Sequence, residues 1–279
     1  MKLVAVIVVY EPDIKSLLYN IGELIEDVDQ LIIYQNSDIY TVRNELEKYG
    51  NKLVYLGSGE NIGIAGALNE GVKWAQRNHY SHILTLDQDS SFERGHLSKF
   101  KYLIENSLAS DVGIFCANIS NRGSVLIESD EQYVKVSDSI TSGSIFPLET
   151  FEKGGLFETE LFIDAVDYEF CYRIFSKNML STIIFPEIIL LHEVGYPTKI
   201  TFGFMTDNYS AFRTYHIVKN HSLIWRRYPT LFQKSYKKTL IKTHIIYRTI
   251  KVLIGEKDKL SKITAIYKGL FHGLTVKIK

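Results

Sequence analysis

Residues 2–9, KLVAVIVV, are apolar almost without a break. A strand with one wet face alternates polar and apolar side chains, so one that is apolar throughout needs cover on both faces. That points to a parallel sheet flanked by helices. The following segments keep to this pattern. Pro12 and Asp13 open an amphipathic stretch, DIKSLLYNIGELIE, whose apolar residues recur at three and four. QLIIYQ reads as a second strand, TVRNELEKYG as a helix ending at Gly50, and KLVYLG as a third strand. GIAGALNEGVKWAQRN is a helix, SHILTLD a fourth strand, ERGHLSKFKYLIENSLAS a helix, and VGIFCAN a strand. The succession predicts an α/β fold with a mainly parallel, doubly wound sheet.

The pattern changes after residue 120. GSVLIES and QYVKVSD suggest a short hairpin, the stretch 140–178 mixes loop and helix, and STIIFPEIILLHEVG suggests two short strands. From Asp207 onward the chain is helical and basic. The expected division is therefore an α/β region at 1–206 and a helical basic region at 207–279. Hydrophobic residues at 46% and charged residues at 23% suit a globular protein with a sizeable core. With only Cys116 and Cys171, no disulfide framework is expected, which favours a reducing, cytoplasmic setting. The opening apolar run lacks a leader's cleavage site and is too short to span a bilayer.

The zero net charge hides an asymmetry. Residues 213–279 carry 16 Lys/Arg against Glu256 and Asp258, a net +14, and residues 1–212 carry the compensating −14. Such segregation points to an anionic partner, or to a basic tail packed on its own acidic body. No nucleic-acid-binding signature accompanies the charge. In LFQKSYKKTLIKTHIIYRTIKVLIGEKDK, lysines interleave with apolar and aromatic residues as on a helix lying along an anionic membrane. Packing against the body or a second subunit explains the same pattern, so a homo-oligomer stays open.

Ligands of doubly wound sheets bind beyond the carboxyl ends of the strands. Four polar clusters lie there: Tyr10-Glu11, Gln35-Asn36-Ser37, Asn61 and Asp87-Gln88-Asp89. Their convergence suggests one site. The D-x-D spacing suits a hard divalent cation such as Mg²⁺ or Mn²⁺ with coordination positions left for diphosphate oxygens. An acidic turn or a helix cap ending at Glu93 explains the same residues. Asn61 and Gly63 stand where a helix N-terminus would face an anion, and small residues there equally serve close helix–sheet packing. His192, after an apolar run, could complete a metal site begun by Asp89, although a lone strand-end histidine is more often structural. In LFIDAVDYEFCYRI, helical spacing would put Asp164 and Asp167 on one face as candidates for proton abstraction, with Glu169 paired to Arg173. No G-x-S-x-G and no Walker loop occurs.

Together VVVYEPD, QNSD, NIGIAGALNEGV, LDQDSSF, TSGSIF, GGLFETELFIDAVDYEFCYRI, LLHEVG and FRTYHIVKNHSLIWRRY resemble a family 2 glycosyltransferase of GT-A fold, in its bacterial rhamnosyltransferase-like branch. The resemblance spans about residues 3–228. It implies a Rossmann-like GT-A region and a nucleotide-diphosphate sugar donor, with Tyr10, Glu11, Asn36, Asn61 and Gly63 lining the nucleotide pocket. Asp87 would face the nucleotide-sugar, Asp89 and His192 would hold Mg²⁺ or Mn²⁺, and Asp167 would be the catalytic base. Asp164, Arg213 and Tyr215 would support it or the acceptor. Asn220 also matches the family segment R-x-Y-Y-x-x-R-N, in which His216 and Lys219 depart from the pattern.

The implied reaction is inverting transfer to a lipid-linked or glycan acceptor at the inner face of the cell membrane. dTDP-L-rhamnose is the favoured donor, with UDP-galactose, UDP-glucose and UDP-galactofuranose as alternatives. A sugar-nucleotide nucleotidyltransferase would need a Gly-rich loop and a basic residue after the first strand, where VVYEPDIKSL stands. An inactive binding protein on the same scaffold would have little use for Asp87, Asp89, Asp167 and His192 together.

Overall fold

A computed structural model describes residues 1–38, 40–192, 198–199 and 205–278. The chain forms two compact units. Met1–Thr159 with Phe170–Glu193 make the first, and Glu160–Glu169 with Val194–Lys279 make the second. Residues 160–169, which the sequence groups with the α/β region, thus pack with the helical one.

In the first unit, β1 (Leu3–Val9) is buried along its whole length and sits between β2 (Gln30–Gln35) and β4 (His82–Asp87), parallel to both. β3 (Leu53–Leu56) extends β2, also in parallel. The connecting helices are α1 (Ile14–Leu24), α2 (Tyr40–Leu46) and α3 (Gly63–Arg77). Asp13 caps α1 by accepting from the Ser16 amide, as a residue before an amphipathic run should. Gly71 of α3 faces Val6 so closely that a Cβ there would lie 3.0 Å from its Cγ2.

Beyond β4 the sheet becomes mixed. Its order is β3-β2-β1-β4-β9-β6-β10-β5, with β9 (Ser144–Pro147) antiparallel to both β4 and β6 (Val112–Asn121). The expected hairpin after residue 120 does not form. β7 (Ser124–Val125) pairs with β6, and β8 (Val134–Val136) pairs with β10. Nor does STIIFPEIILLH divide in two. It is one strand, β10 (Ser181–His192), whose register against β6 shifts between Phe185 and Ile189. Pro186 falls in that bulge, where a missing N–H is tolerated, and its carbonyl accepts from the buried Asn118 amide at 2.9 Å.

β5 (Ser90–Phe92) pairs with β10 and precedes α4 (His96–Glu105). The high phenylalanine content fills two clusters, one around Phe100, Phe115 and Phe185, the other formed by Phe146, Phe151, Phe157 and Phe170. α5 (Leu148–Gly154) completes the unit, together with most of α6 (Val166–Asn178).

Among the described residues, the second unit contains the β11–β12 pair (Thr198–Lys199, Met205–Thr206) and, after it, a run of helical segments. These are α7 (Ala211–Arg227), α8 (Lys234–Thr239) continuing through a π-helical stretch (Leu240–Tyr247) into α9 (Arg248–Gly255), and α10 (Lys259–Thr275). α10 lies against α7 through two glycines. A Cβ on Gly269 would stand 2.7 Å from the Tyr215 carbonyl oxygen, and one on Gly273 2.5 Å from that of Lys219. The buried Glu256 carboxylate accepts from Arg248, Lys262 and Thr206, which closes the turn between α9 and α10. Those bonds hold its pKa below the ordinary carboxylate value even though burial acts to raise it.

Candidate active site

The registers place the carboxyl ends of β1, β2, β3 and β4 along one edge of the sheet, with Val9 opposite Gln35 and Val8 opposite Asp87. The polar residues that follow these strands are bonded to one another. Gln88 accepts from the Tyr10 amide at 2.9 Å and donates to the Tyr10 carbonyl at 3.0 Å, so one side chain mimics a strand pairing between two loops. Its own carbonyl accepts from the buried Asn20 of α1. The Glu11 amide donates to Ser37 Oγ at 2.8 Å. Asn36 donates to Asn61 Oδ1 at 3.1 Å and accepts from the Ile62 amide at 2.9 Å, while Asn61 Oδ1 also accepts from the Gly63 amide.

Tyr10, Glu11, Asn36, Asn61, Gly63 and Asp87 thereby lie along one continuous bonded rim. Glu11 sits at φ 43° and Gly63 at φ 76°, where left-handed backbone turns the chain out of the strand and into α3. Asn36 is buried, whereas Tyr10 is 46% exposed.

Asp87, Asp89 and His192 come together at the end of β4. One potential ligand atom from each lies within 4.8 Å of the others. Ser90 and His192 are directly paired across the β5–β10 ladder, and Ser90 Oγ meets His192 Nδ1 at 2.7 Å. The Asp87 amide donates to Ser142 Oγ at 3.0 Å. Two carboxylates and an imidazole form a donor set that fits Mg²⁺ or Mn²⁺. Residues 193–195, the rest of the quoted LLHEVG segment, lie outside the described residues.

In the second unit, Asp164 is not on a helix. Helix α6 begins at Val166, and Phe162, Asp164 and Ala165 adopt φ values of 62°, 62° and 65°. The apolar spacing that suggested one helical face is interrupted by this left-handed turn, and the two acids share no face. Asp167 lies in the first turn of α6, where the helix dipole favours a carboxylate, and its Oδ1 accepts from the Tyr168 amide at 2.9 Å. Glu169 is fully buried and accepts from Tyr228 Oη at 2.9 Å and from Arg227 Nη1 at 3.3 Å.

α7 supplies the partners of the turn. Arg213 grips Asp164 with two nitrogens at 3.2 and 3.3 Å. Burial acts to lower the Arg213 pKa, but the charge and hydrogen bonds of Asp164 outweigh it and raise it. His216 Nδ1 donates to the Leu161 carbonyl at 3.1 Å, and Lys219 Nζ to that of Glu160 at 2.9 Å. The two residues that depart from the family pattern thus both make backbone contacts. Tyr215 faces α10 instead, with its hydroxyl 2.8 Å from His272 Nδ1.

The sequence profile described as "Glycosyl transferase family 2" matches residues 5–156, more than half of the chain. The chain belongs to that family. It is also 29% identical over 270 residues to a Shigella flexneri protein named dTDP-rhamnosyl transferase RfbF, across 92% of this chain and 90% of that one. Among solved structures, S. aureus TarS (residues 1–349) with UDP-GlcNAc aligns with a TM-score of 0.60 at 14% identity, over 97% of this chain and 80% of that one. GalNAc-T7 with UDP, GalNAc and Mn²⁺ aligns at 0.62 and 11%, over 95% of this chain. The family 2 chain spans 54% of the GalNAc-T7 chain, and the likeness to both structures is one of fold, that of GT-A enzymes. This family 2 member is a glycosyltransferase with a mixed α/β, mainly parallel GT-A sheet.

Ser90 and Ser142 escape a reading of the sequence, as does the role of Gln88, which stood there only as a member of the Asp87-Gln88-Asp89 cluster. Only the position of Gln88, between two ligand-type carboxylates, offered a signal.

Proposed function

We propose that this glycosyltransferase moves L-rhamnose from dTDP-L-rhamnose to a hydroxyl of a lipid-linked or glycan acceptor, with inversion at the anomeric carbon. The observation that carries the reading is the meeting of Asp87, Asp89 and His192 at the end of β4, in the same unit as the bonded rim of Tyr10, Asn36 and Asn61. The sugar is taken from the S. flexneri relative. Asp89 and His192 would hold Mg²⁺ or Mn²⁺, which when bound neutralises charge on the departing diphosphate. Asp87 faces the nucleotide-sugar. The exposed ring of Tyr10 stacks on the base, and the Asn36–Asn61 pair, with Gly63 turning the chain into α3 beside it, meets polar groups of the nucleotide.

Asp167 is the general base. The acceptor oxygen attacks the anomeric carbon, its proton passes to the Asp167 carboxylate, and the bond to the diphosphate oxygen breaks. Arg213 and Asp164 orient the acceptor side, with Tyr215 as support from within α7.

The basic helices hold the enzyme at an anionic membrane surface on the cytoplasmic side. α10 supports this with an exposed stripe of Leu260, Tyr267, Phe271 and Leu274, flanked by Lys257, Lys259 and Lys268. Apolar side chains with lysines beside them suit the headgroup boundary of a bilayer. No helix among the described residues is long and apolar enough to cross a membrane.

A calorimetric panel of dTDP-L-rhamnose, UDP-galactose, UDP-glucose and GDP-mannose with Mn²⁺ tests the donor. Binding of dTDP-L-rhamnose is expected, and binding of a UDP-sugar alone would replace the donor assignment. Co-sedimentation with phosphatidylglycerol vesicles tests the surface. Phe271→Ser with Tyr267→Ser is expected to weaken it, and equal sedimentation of the variant would remove the membrane proposal.

A further inference from the structure

The left-handed turn before α6 has a feature that neither the metal cluster nor the nucleotide rim explains. Residues with side chains seldom adopt positive φ, and each such residue costs about 1–3 kcal/mol unless its surroundings hold it there. Here three residues out of four, Phe162, Asp164 and Ala165, have φ between 62° and 65°. None is glycine, asparagine occurs at none of them, and Phe162 is bulky. Left alone, the segment would relax.

What opposes relaxation comes from one helix. The Asn220 side chain is fully buried, and its Nδ2 lies 2.8 Å from the Leu161 carbonyl oxygen, 2.8 Å from that of Ile163 and 2.9 Å from that of Asp164. A single amide nitrogen thus meets three acceptors of a four-residue span. One turn earlier on α7, His216 donates to the same Leu161 carbonyl, and Arg213 a further turn back grips the Asp164 carboxylate. Residues 213, 216 and 220 recur at three and four, so they line one face of α7. Lys219 reaches the Glu160 carbonyl from beside that face. Arg213, His216 and Lys219 meet residues 164, 161 and 160 in reversed chain order, and Asn220 returns across 161, 163 and 164.

We propose that α7 is a clasp that sets the turn before α6, and that Asn220 is its central positioning residue. The proposal rests on Asp167 being the base. Asp167 follows the turn by two residues, so the φ angles of Asp164 and Ala165 fix where α6 starts and which way its first-turn carboxylate projects. Asn220 touches no reacting atom. It acts through the backbone it holds. The geometry also explains why an asparagine is needed. An aspartate of the same shape would aim an acceptor at three carbonyl oxygens, and a serine would be too short to span them.

The test compares Asn220→Asp and Asn220→Ser with wild type in hydrolysis of dTDP-L-rhamnose with Mn²⁺. It adds calorimetric dTDP binding, melting temperature and amide hydrogen exchange of residues 160–168. If Asn220→Asp does not fold, Asn220→Ser and Lys219→Met stand in its place. The expected result is a fall in kcat of about a hundredfold for the Asn220 variants, as for a misplaced catalytic group. Lys219→Met should lose several-fold by the same reasoning. The donor KM and dTDP affinity should stay within about a factor of two, and exchange over 160–168 should rise.

Retained kcat in Asn220→Ser, or kcat, donor KM and melting temperature all worsening together, would overturn the positioning role. If wild type itself neither binds dTDP nor hydrolyses the donor, the assigned function fails. Hydrogen exchange then judges the clasp alone, and unchanged protection of residues 160–168 in Asn220→Ser would sink it.

Discussion

The rim at the strand ends and the turn before α6 are both held by side chains bonded to backbone, yet they are built in opposite ways. In the rim the partners belong to neighbouring loops whose positions the parallel sheet already fixes, and each bond adds a local staple, as Gln88 does on Tyr10. In the turn the strained backbone comes first, and one helix more than fifty residues further along holds it. Losing one staple from the rim leaves the strands in place. Losing the clasp leaves three positive-φ residues with only short-range backbone bonds such as Ile163 N–H to the Leu161 carbonyl. The rim should therefore tolerate substitution, with graded losses in binding, and the turn should respond sharply and in turnover.

The largest expected effect is on the turn side. Asp167→Asn should lower donor turnover about a thousandfold, the usual weight of a general base, while leaving dTDP affinity unchanged by calorimetry. Full turnover in that variant would move the base elsewhere. Next comes the metal cluster. Chelation, or His192→Ala with Asp89→Asn, should cost about a hundredfold or more in turnover, since charge on a departing diphosphate is worth several kcal/mol to neutralise. Mn²⁺ binding followed by electron paramagnetic resonance should weaken in parallel. Unaltered Mn²⁺ binding in the double variant would remove Asp87, Asp89 and His192 as the site.

The two regions also differ in how far the sequence exposes them. β1 through β4, their helices and the convergence of Tyr10, Asn36, Asn61 and Asp87 follow from apolar runs and from the rule that parallel strands end together. The mixed half of the sheet is hidden because β9 inserts antiparallel between β4 and β6, a choice made by pairing partners and not by local pattern. Pro186 looks like a strand break, yet the bulge in β10 absorbs it. The turn at 162–165 reads as helix because helical spacing persists through it, and its true conformation is set by Asn220, Arg213 and His216 from far along the chain. Residues 160–169 join the helical unit through those contacts.

The packing beneath each region should separate them again. Gly273→Ala would drive a Cβ to 2.5 Å from the Lys219 carbonyl oxygen and 2.6 Å from Ser222 Cβ. Neither neighbour is the end of a flexible side chain, so a loss of about 2–3 kcal/mol is expected in chemical denaturation. Gly71→Ala in α3 meets Val6 Cγ2 at 3.0 Å, a side chain that can give a little, and should cost less, about 1 kcal/mol. Equal losses would mean that α10 can shift on α7 as easily as a methyl group rotates. Gln88→Ala removes two neutral hydrogen bonds from the rim and should weaken dTDP binding about tenfold, with little change in melting temperature.

The smallest effect, and the one that reads both regions in a single experiment, is their response to mild acid. His221 is half-buried beside His244, and desolvation followed by that neighbour's charge lowers its pKa from 6.5 to about 4. His216 and His244 are lowered too, burial again being the first cause. All three belong to the second unit. A histidine held neutral in the fold gains its proton first in the unfolded chain. Stability is therefore complete above pH 6.5 and is lost as pH falls from there toward 4. For His221 alone the loss by about pH 5.5 is roughly 1 kcal/mol. In the first unit His82 is also lowered by burial, without a second histidine beside it. Acid should thus open the helical unit before the sheet. Hydrogen exchange near pH 7 and pH 5.5 should show amides of α7 and α10 losing protection while those of β1 and β4 keep theirs, and His221→Phe should flatten the difference. If β1 and α7 open together at the lower pH in wild type, the two regions are one cooperative structure and their contrast is confined to local bonding.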